Sequence, residues 1–338
     1  MHAHLVLADT TFAEETWIQI AKSIVIFAFI LGVVPLVLLL ERKLMGRMQS
    51  RYGPNRVGPY GLLQALADVL KLLTKEHFAP ATAVTWMMAL APVISVLTAV
   101  MTLAIIPFGD RGTWSDSIGL YGLDLPIGVL YMFAFGSIAF YGFLLGGWAS
   151  GSKFSFLGSM RSAAQLISYE VSLGLALLGV VMMAQSLSLV TIVEQQDTVW
   201  YILPQFVGFC IFLVTGFAET ARPPFDLPEA DAELVAGYNT EYGGMRFGAF
   251  YMAEYMHIIV FAGLATALFL GGWHGPGPEA LGPLWVVVKM FLVVCFFIWA
   301  RATFPRLRYD QLMSFGWKIL LPLATVNALV TAILVVTT

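Results

Sequence analysis

The side chains best suited to chemistry in this chain are carboxylates in apolar company. Glu170 and Glu254 fall inside long hydrophobic runs, at 161–186 and 249–271. Counted from Arg161 at about 1.5 Å per residue, Glu170 lies roughly 13 Å along its run, near the middle of a bilayer. Glu254 is about one turn into its own run. An ionisable group at such depth is costly and usually functional, and a desolvated carboxyl suits the uptake and release of protons. The structural alternative is a glutamic acid held by hydrogen bonds alone. Lys22 and Lys289 also lie in apolar runs, but each is about five residues from an end and can reach the interface by snorkelling.

A second set of acids occupies the polar stretch 219–248. Glu219, Asp226, Glu229, Asp231, Glu233 and Glu241 stand there against Arg222 and Arg246. Pro223, Pro224 and Pro228 break any continuous helix through it. After Pro228 an extended chain would point Glu229, Asp231 and Glu233 to one side, whereas a helix would align only Glu229 with Glu233. A solvated acidic loop needs no function. Because Leu234, Val235, Ala236 and Tyr238 follow directly, the acids are read as packed against something.

Other chemistries are missing from the sequence. Cys210 and Cys295 lie in apolar runs and are too few for a disulfide framework or an iron–sulfur cluster. Of His2, His4, His77, His257 and His274 only His257 is well inside a hydrophobic run, so no ligand pair exists for a haem within a bundle. There is no phosphate-binding G-x-x-x-x-G-K-[ST], no dinucleotide fingerprint, no H-E-x-x-H and no paired-cysteine motif. A net charge of −3 offers no basic field for nucleic acid. The chain is read as binding no redox cofactor, nucleotide or metal of its own.

These residues need elements to position them. At 59% hydrophobic and 12% charged, with a mean hydropathy of +0.82, the chain is far from the composition of a water-soluble domain. Eight stretches are apolar and long enough to span a bilayer: 17–40, 82–106, 126–148, 161–186, 200–219, 249–271, 284–300 and 317–336. The 284–300 run is the shortest. Turn residues separate the runs, there is no fixed-period repeat, and no linker divides the chain. The expectation is an all-α membrane protein, residues 1–338 forming one bundle of eight transmembrane helices.

Fifteen of the 18 Lys and Arg residues fall on alternate connections (41–81, 149–161, 219–248 and 301–318). The positive-inside rule then puts these on the cytoplasmic or matrix side and both termini outside. The N-terminus, with Asp9, Glu14 and Glu15 but no Lys or Arg before Lys22, does not read as a signal peptide. In the first basic connection, Leu62, Leu63, Leu66, Val69, Leu70 and Leu73 recur at helical spacing opposite Gln64, Asp68, Lys71 and Lys75. The spacing predicts an amphipathic helix over 61–76, too short and polar to span and lying along the interface or against the bundle. The Gly and Pro residues of 51–59 predict a defined turn before it.

Several segments together resemble one family. Glu41-Arg42-Lys43-Leu44-Met45-Gly46-Arg47 followed by Gly53-Pro54-Asn55-Arg56-Val57-Gly58-Pro59 is similar to the first cytoplasmic loop of the H-type subunit of NADH-quinone oxidoreductase, respiratory complex I. The likeness continues through Ser168-Tyr169-Glu170 and is most specific at Glu219-Thr220-Ala221-Arg222-Pro223-Pro224-Phe225-Asp226-Leu227-Pro228-Glu229-Ala230. It extends to Arg306-Leu307-Arg308-Tyr309-Asp310 and covers nearly the whole chain after residue 16.

The resemblance implies a subunit at the joint between the membrane arm and the peripheral arm of a proton-pumping enzyme. It would form the entrance and much of the chamber for quinone, its substrate, with FMN and iron–sulfur clusters held by neighbouring subunits. Partners would be the peripheral quinone-site and iron–sulfur subunits and the small and antiporter-like membrane subunits. The setting would be a bacterial inner membrane, or the mitochondrial inner membrane if organellar. By the resemblance, Glu41, Arg42, Arg51 and Asp68 lie near the chamber, and Glu219, Glu229, Asp231 and Glu233 form the acidic loop beneath it. Glu170 and Glu254 match embedded acids on a path toward the pumping subunits. Residue 231 is Asp where Glu is common, and 221 is Ala where Asn is frequent. The corresponding subunit of a membrane-bound hydrogenase is the nearest rival. A stand-alone proton or ion transporter is disfavoured by the lack of an inverted repeat or paired broken helices. A purely structural scaffold would not need acids at mid-bilayer.

Overall fold

A computed structural model describes residues 3–109, 120–227 and 234–337 of the chain. Apart from an isolated antiparallel bridge between Pro107 and Tyr121, the regular structure of these residues is helical. In lipid a continuous helix satisfies its own backbone groups, so each long apolar run becomes one. The helices are α1 (Ala3–Met48), α2 (Gln64–Thr74), α3 (Thr85–Leu103), α4 (Gly128–Ala149), α5 (Lys153–Ala184), α6 (Leu189–Glu194) and α7 (Phe206–Glu219). They continue with α8 (Gly244–Leu268), α9 (Gly282–Thr303), α10 (Tyr309–Phe315) and α11 (Leu321–Thr337), the last two joined by the π-turn Gly316–Leu320.

Six helical segments are long and apolar enough to cross a membrane: α3, α4, α5, α8, α9 and the α10–α11 unit Tyr309–Thr337. The expected 17–40 run lies inside α1, which at 46 residues is about 69 Å long. Two boundaries differ from the sequence reading. The run at 200–219 is helical only from Phe206, because the segment before it is docked on the C-terminal end of α8. There Gln196 Nε2 donates to Ala267 O (2.8 Å), and its Oε1 accepts from Tyr201 N (3.2 Å) and Gly271 N (3.1 Å). The shortest expected run, 284–300, belongs instead to the 22-residue α9.

At the centre lies α8, with every residue from Ile258 to Leu268 buried. A helix that is apolar all round belongs in the interior, and α3, α9 and α7 pack against it. The amphipathic segment forms α2 as expected, and its leucines face outward: Leu66, Leu70 and Leu73 are 57%, 52% and 54% exposed. Gln64 and Asp68 turn inward instead, toward α1. That inversion suits a helix whose outer surroundings are lipid.

Candidate functional site

Two groups of charges meet near the start of α8, and a third lies beside them at the end of α1. The third group is set by the 49–61 turn. Gly61 adopts φ +75°, and a Cβ there would overlap the Pro54 carbonyl, so only glycine closes this turn. Lys43 Nζ donates to Tyr60 O at 2.5 Å and pins the turn to α1. Arg42 Nη1 donates to Asp68 Oδ2 at 2.5 Å, and Gln64 Nε2 to Asp68 Oδ1 at 3.1 Å. Arg42 and Arg51 then line one open cavity of about 480 Å³ with Met45, Tyr52, Gly53 and Pro54. The cavity offers two guanidinium groups beside apolar wall.

Glu41 is adjacent in sequence but faces the other way. It is 5% exposed and belongs to a buried ion cluster. Its Oε1 pairs with Arg301 Nη1 and with Arg222 Nη1 (3.3 Å), while Tyr255 donates to its Oε2 at 2.7 Å. Arg222 Nε also lies 2.8 Å from Glu254 Oε1, and its guanidinium sits 4.5 Å from the Tyr255 ring centroid. Tyr251 and Tyr255 hydroxyls are 3.3 Å apart. Two carboxylates thus face two guanidinium groups in low dielectric, an arrangement neutral only while every member keeps its charge. Burial opposes the Arg222 charge, but Glu254, Tyr255 and Glu41 outweigh it and raise its pKa above the ordinary arginine range.

Arg222 is aimed by a tightly tied strap after α7. Arg222 N donates to Phe217 O (3.1 Å), which requires Ala221 to take φ +49°. Gln165 Nε2 on α5 donates to both Ala218 O (2.7 Å) and Phe225 O (2.8 Å). Arg306 Nη2 donates to Asp226 Oδ2 at 2.7 Å, and Leu307 N to Pro224 O at 3.0 Å. The Pro223–Pro224 bond is cis.

The remaining group holds the other two acids. Glu170, near the middle of α5, accepts from Ser137 Oγ on α4. Glu170 and Glu219 line one cavity of about 30 Å³ together with Thr102, Gly136 and His257. The ion cluster and this cavity share their supports. Glu254 and His257 are three residues apart on α8, as are Glu219 and Arg222 on α7 and its strap, so the groups adjoin within about one helical turn.

The structure therefore brings Glu41 to Glu254, Glu170 to Glu219, and Arg42 to both Asp68 and the Arg51 cavity. Glu229, Asp231 and Glu233 lie outside the described residues, as does the side chain of Lys22. Lys289 does not extend to solvent: it is 7% exposed, and Nζ donates to Leu270 O (2.7 Å), Gly272 O (2.8 Å) and His274 O (2.6 Å), with the Trp200 ring at 4.2 Å. It closes the exposed carbonyls after α8, a reach of about one side chain that snorkelling arguments do not foresee. Sequence reasoning did not name Arg222, Arg301 and Tyr255 as site residues: Arg301 served only for topology, and Arg222 entered as a counter-charge to the acidic stretch and within the family motif. The available signal was a pair of arginines at the polar ends of runs that must pack beside embedded acids.

Comparison with known proteins agrees with this composition. A family model described as NADH dehydrogenase matches residues 21–332. The first NADH-quinone oxidoreductase H-type subunit of Geobacter metallireducens is 52% identical, over 95% of this chain and 98% of its own length. The second such subunit of Geobacter sulfurreducens is 54% identical over 92% of this chain and 94% of its own. The H-type subunit of Syntrophotalea carbinolica is 51% identical over 94% and 98%. On this match, nearly end to end, the chain belongs to the NADH dehydrogenase family, within the group of NADH-quinone oxidoreductase H-type subunits.

Proposed function

We propose that this chain is the membrane subunit of a proton-pumping NADH:quinone oxidoreductase that admits quinone and relays its reduction into the membrane arm. It crosses a bacterial inner membrane eight times with both termini outside, α1 and α7 adding to the six long apolar helices. FMN and the iron–sulfur clusters reside in peripheral-arm partners, and small and antiporter-like subunits continue the membrane arm. The cavity of Arg42 and Arg51 takes the polar quinone head. Met45, Tyr52, Pro54 and the outward leucines of α2 offer apolar surface for its tail.

One observation supports the coupling part of this reading above the rest. Glu41, next to Arg42 in sequence, shares Arg222 with Glu254 of α8. Quinone reduction consumes protons, and protonating one carboxylate of a balanced buried cluster frees its arginine to pull on the other. Unit charges 4 Å apart interact by about 4 kcal/mol at an effective dielectric constant of ~20, ample to shift a side-chain equilibrium by several hundredfold. The Glu170–Glu219 cavity adjoins the cluster and is the next proton-holding station. In the sequence the acids Glu229, Asp231 and Glu233 follow the strap, and they join the same relay.

The reading is tested in the native complex with a photoreactive quinone. Labelling should fall on residues 42–54 and decrease in Arg42→Gln, whose KM for quinone should rise about tenfold, the value of one charge-assisted hydrogen bond. Labelling confined to other faces, or isolation of the chain free of flavin and iron–sulfur partners, would overturn it.

A further inference from the structure

His257 also lines the cavity of Glu170 and Glu219, and the pairing of those acids gives it no role. Its Nε2 is buried and has no hydrogen-bond partner among the described residues, although buried ring nitrogens are ordinarily satisfied. Thr102 Oγ1, on α3, donates to Thr98 O at 2.8 Å and so offers the cavity only its lone pairs. Ser137 spends its hydroxyl proton on Glu170 Oε1. At about 30 Å³ the space admits at least one water, and an internal water needs two to four polar partners. Glu170, Glu219, Thr102 and His257 supply them.

We propose that this cavity is an internal water site in which His257 is a third proton-holding group, passing protons between Glu219 and Glu170 through the bound water. The inference rests on the coupling role proposed above and adds to it a residue and a ligand. Two carboxyls sharing one low-dielectric space do not both ionise unless a cation forms beside them, so without one the pair retains at least one proton. A neutral imidazole protonated on Nδ1 presents Nε2 as an acceptor. The Glu219 O–H bond breaks as its proton passes to the water, and the water gives one of its own protons to Nε2. A carboxylate and an imidazolium result, and the charge of the cavity is unchanged. Nε2 then returns the proton through the water to the Glu170 carboxylate, restoring the neutral ring. One proton has moved, with no electron transfer and no other reactant.

The test uses the purified whole complex carrying His257→Leu, His257→Gln, Glu219→Gln or Glu170→Gln. His257→Gln keeps a polar group toward the water but cannot hold a proton. Both His257 variants should lower proton-coupled turnover about tenfold or more, as loss of a positioned proton acceptor does. They should also alter the carboxyl C=O band in redox-difference infrared spectra, assigned by its disappearance in Glu219→Gln. Normal coupling in His257→Gln, with Glu219→Gln impaired, would overturn the His257 role and leave the coupling reading standing. Normal coupling in both glutamine variants of the acids would overturn the coupling reading itself. If His257→Leu fails to assemble, His257→Gln decides.

Discussion

Replacing Arg222 with methionine tests the central geometric claim, that its charge serves Glu41 and Glu254 at once. Methionine keeps much of the length and apolar stem while deleting the charge. Arg222 is 3% exposed, so breaking its pairs is a buried event, for which about 3–5 kcal/mol is lost when one partner is removed. The loss does not fall evenly. Glu41 retains Arg301 and the Tyr255 hydroxyl, whereas Glu254 loses an arginine Nε at 2.8 Å. Part of the penalty therefore falls on Glu254, and neutralising it should give some of the stability back. Arg222→Met together with Glu254→Gln should recover about 1–3 kcal/mol relative to Arg222→Met alone, the coupling expected of directly interacting buried groups. The measurement is resistance of the assembled complex to graded detergent denaturation for both single variants and the double. Destabilisation by the double equal to the sum of the two single variants would refute the argument, because the pair would then not interact. Arg222→Lys should restore only part of the loss, since an ammonium cannot address both acids with a planar fork.

Three further outcomes follow from local geometry. Ala221→Asn should stabilise the strap by about 0.5–1 kcal/mol in the same denaturation assay, since asparagine tolerates the left-handed backbone that alanine adopts here at φ +49°. Lys289→Met should destabilise by at least about 3 kcal/mol, because it strips a donor from three carbonyls. Limited proteolysis should then cut within 270–283 first. Gly61→Ala should raise the KM for quinone with less effect on assembly, because a Cβ at φ +75° forces the Pro54 carbonyl away from the Arg42–Arg51 cavity.

Much of the fold was legible because lipid leaves a backbone few options. Apolar runs of about 20 residues become helices, and 82–106, 126–148 and 249–271 are found as Thr85–Leu103, Gly128–Ala149 and Gly244–Leu268. The misjudged boundaries have specific causes. Residues 200–205 are as apolar as a helix, yet the buried Gln196 docks them on α8 by hydrogen bonds that hydropathy does not see. The connection at 149–161 is polar, but α5 already begins at Lys153, because Lys and Ser are acceptable in a helix end facing water. The six-residue α6 is too short to show a period, and its start is marked only by the Ser188 cap.

The composition and order of residues alone determined that this is a multi-helix membrane protein with carboxylates where lipid penalises them. They also determined its family, since the motifs of 41–59 and 219–230 need no coordinates to be matched. Only the tertiary structure decided which charges belong together. Glu254 looked like a solitary embedded acid and is paired with Arg222, while Glu41, grouped with Arg42 by the family resemblance, turns away from it to meet residues 181 and 260 positions distant. Helical periodicity and hydropathy are local properties of sequence, whereas the energy of a buried charge is set by what stands within a few ångströms of it. The chain determines that neighbourhood only after α1, α8, α9 and the strap have packed.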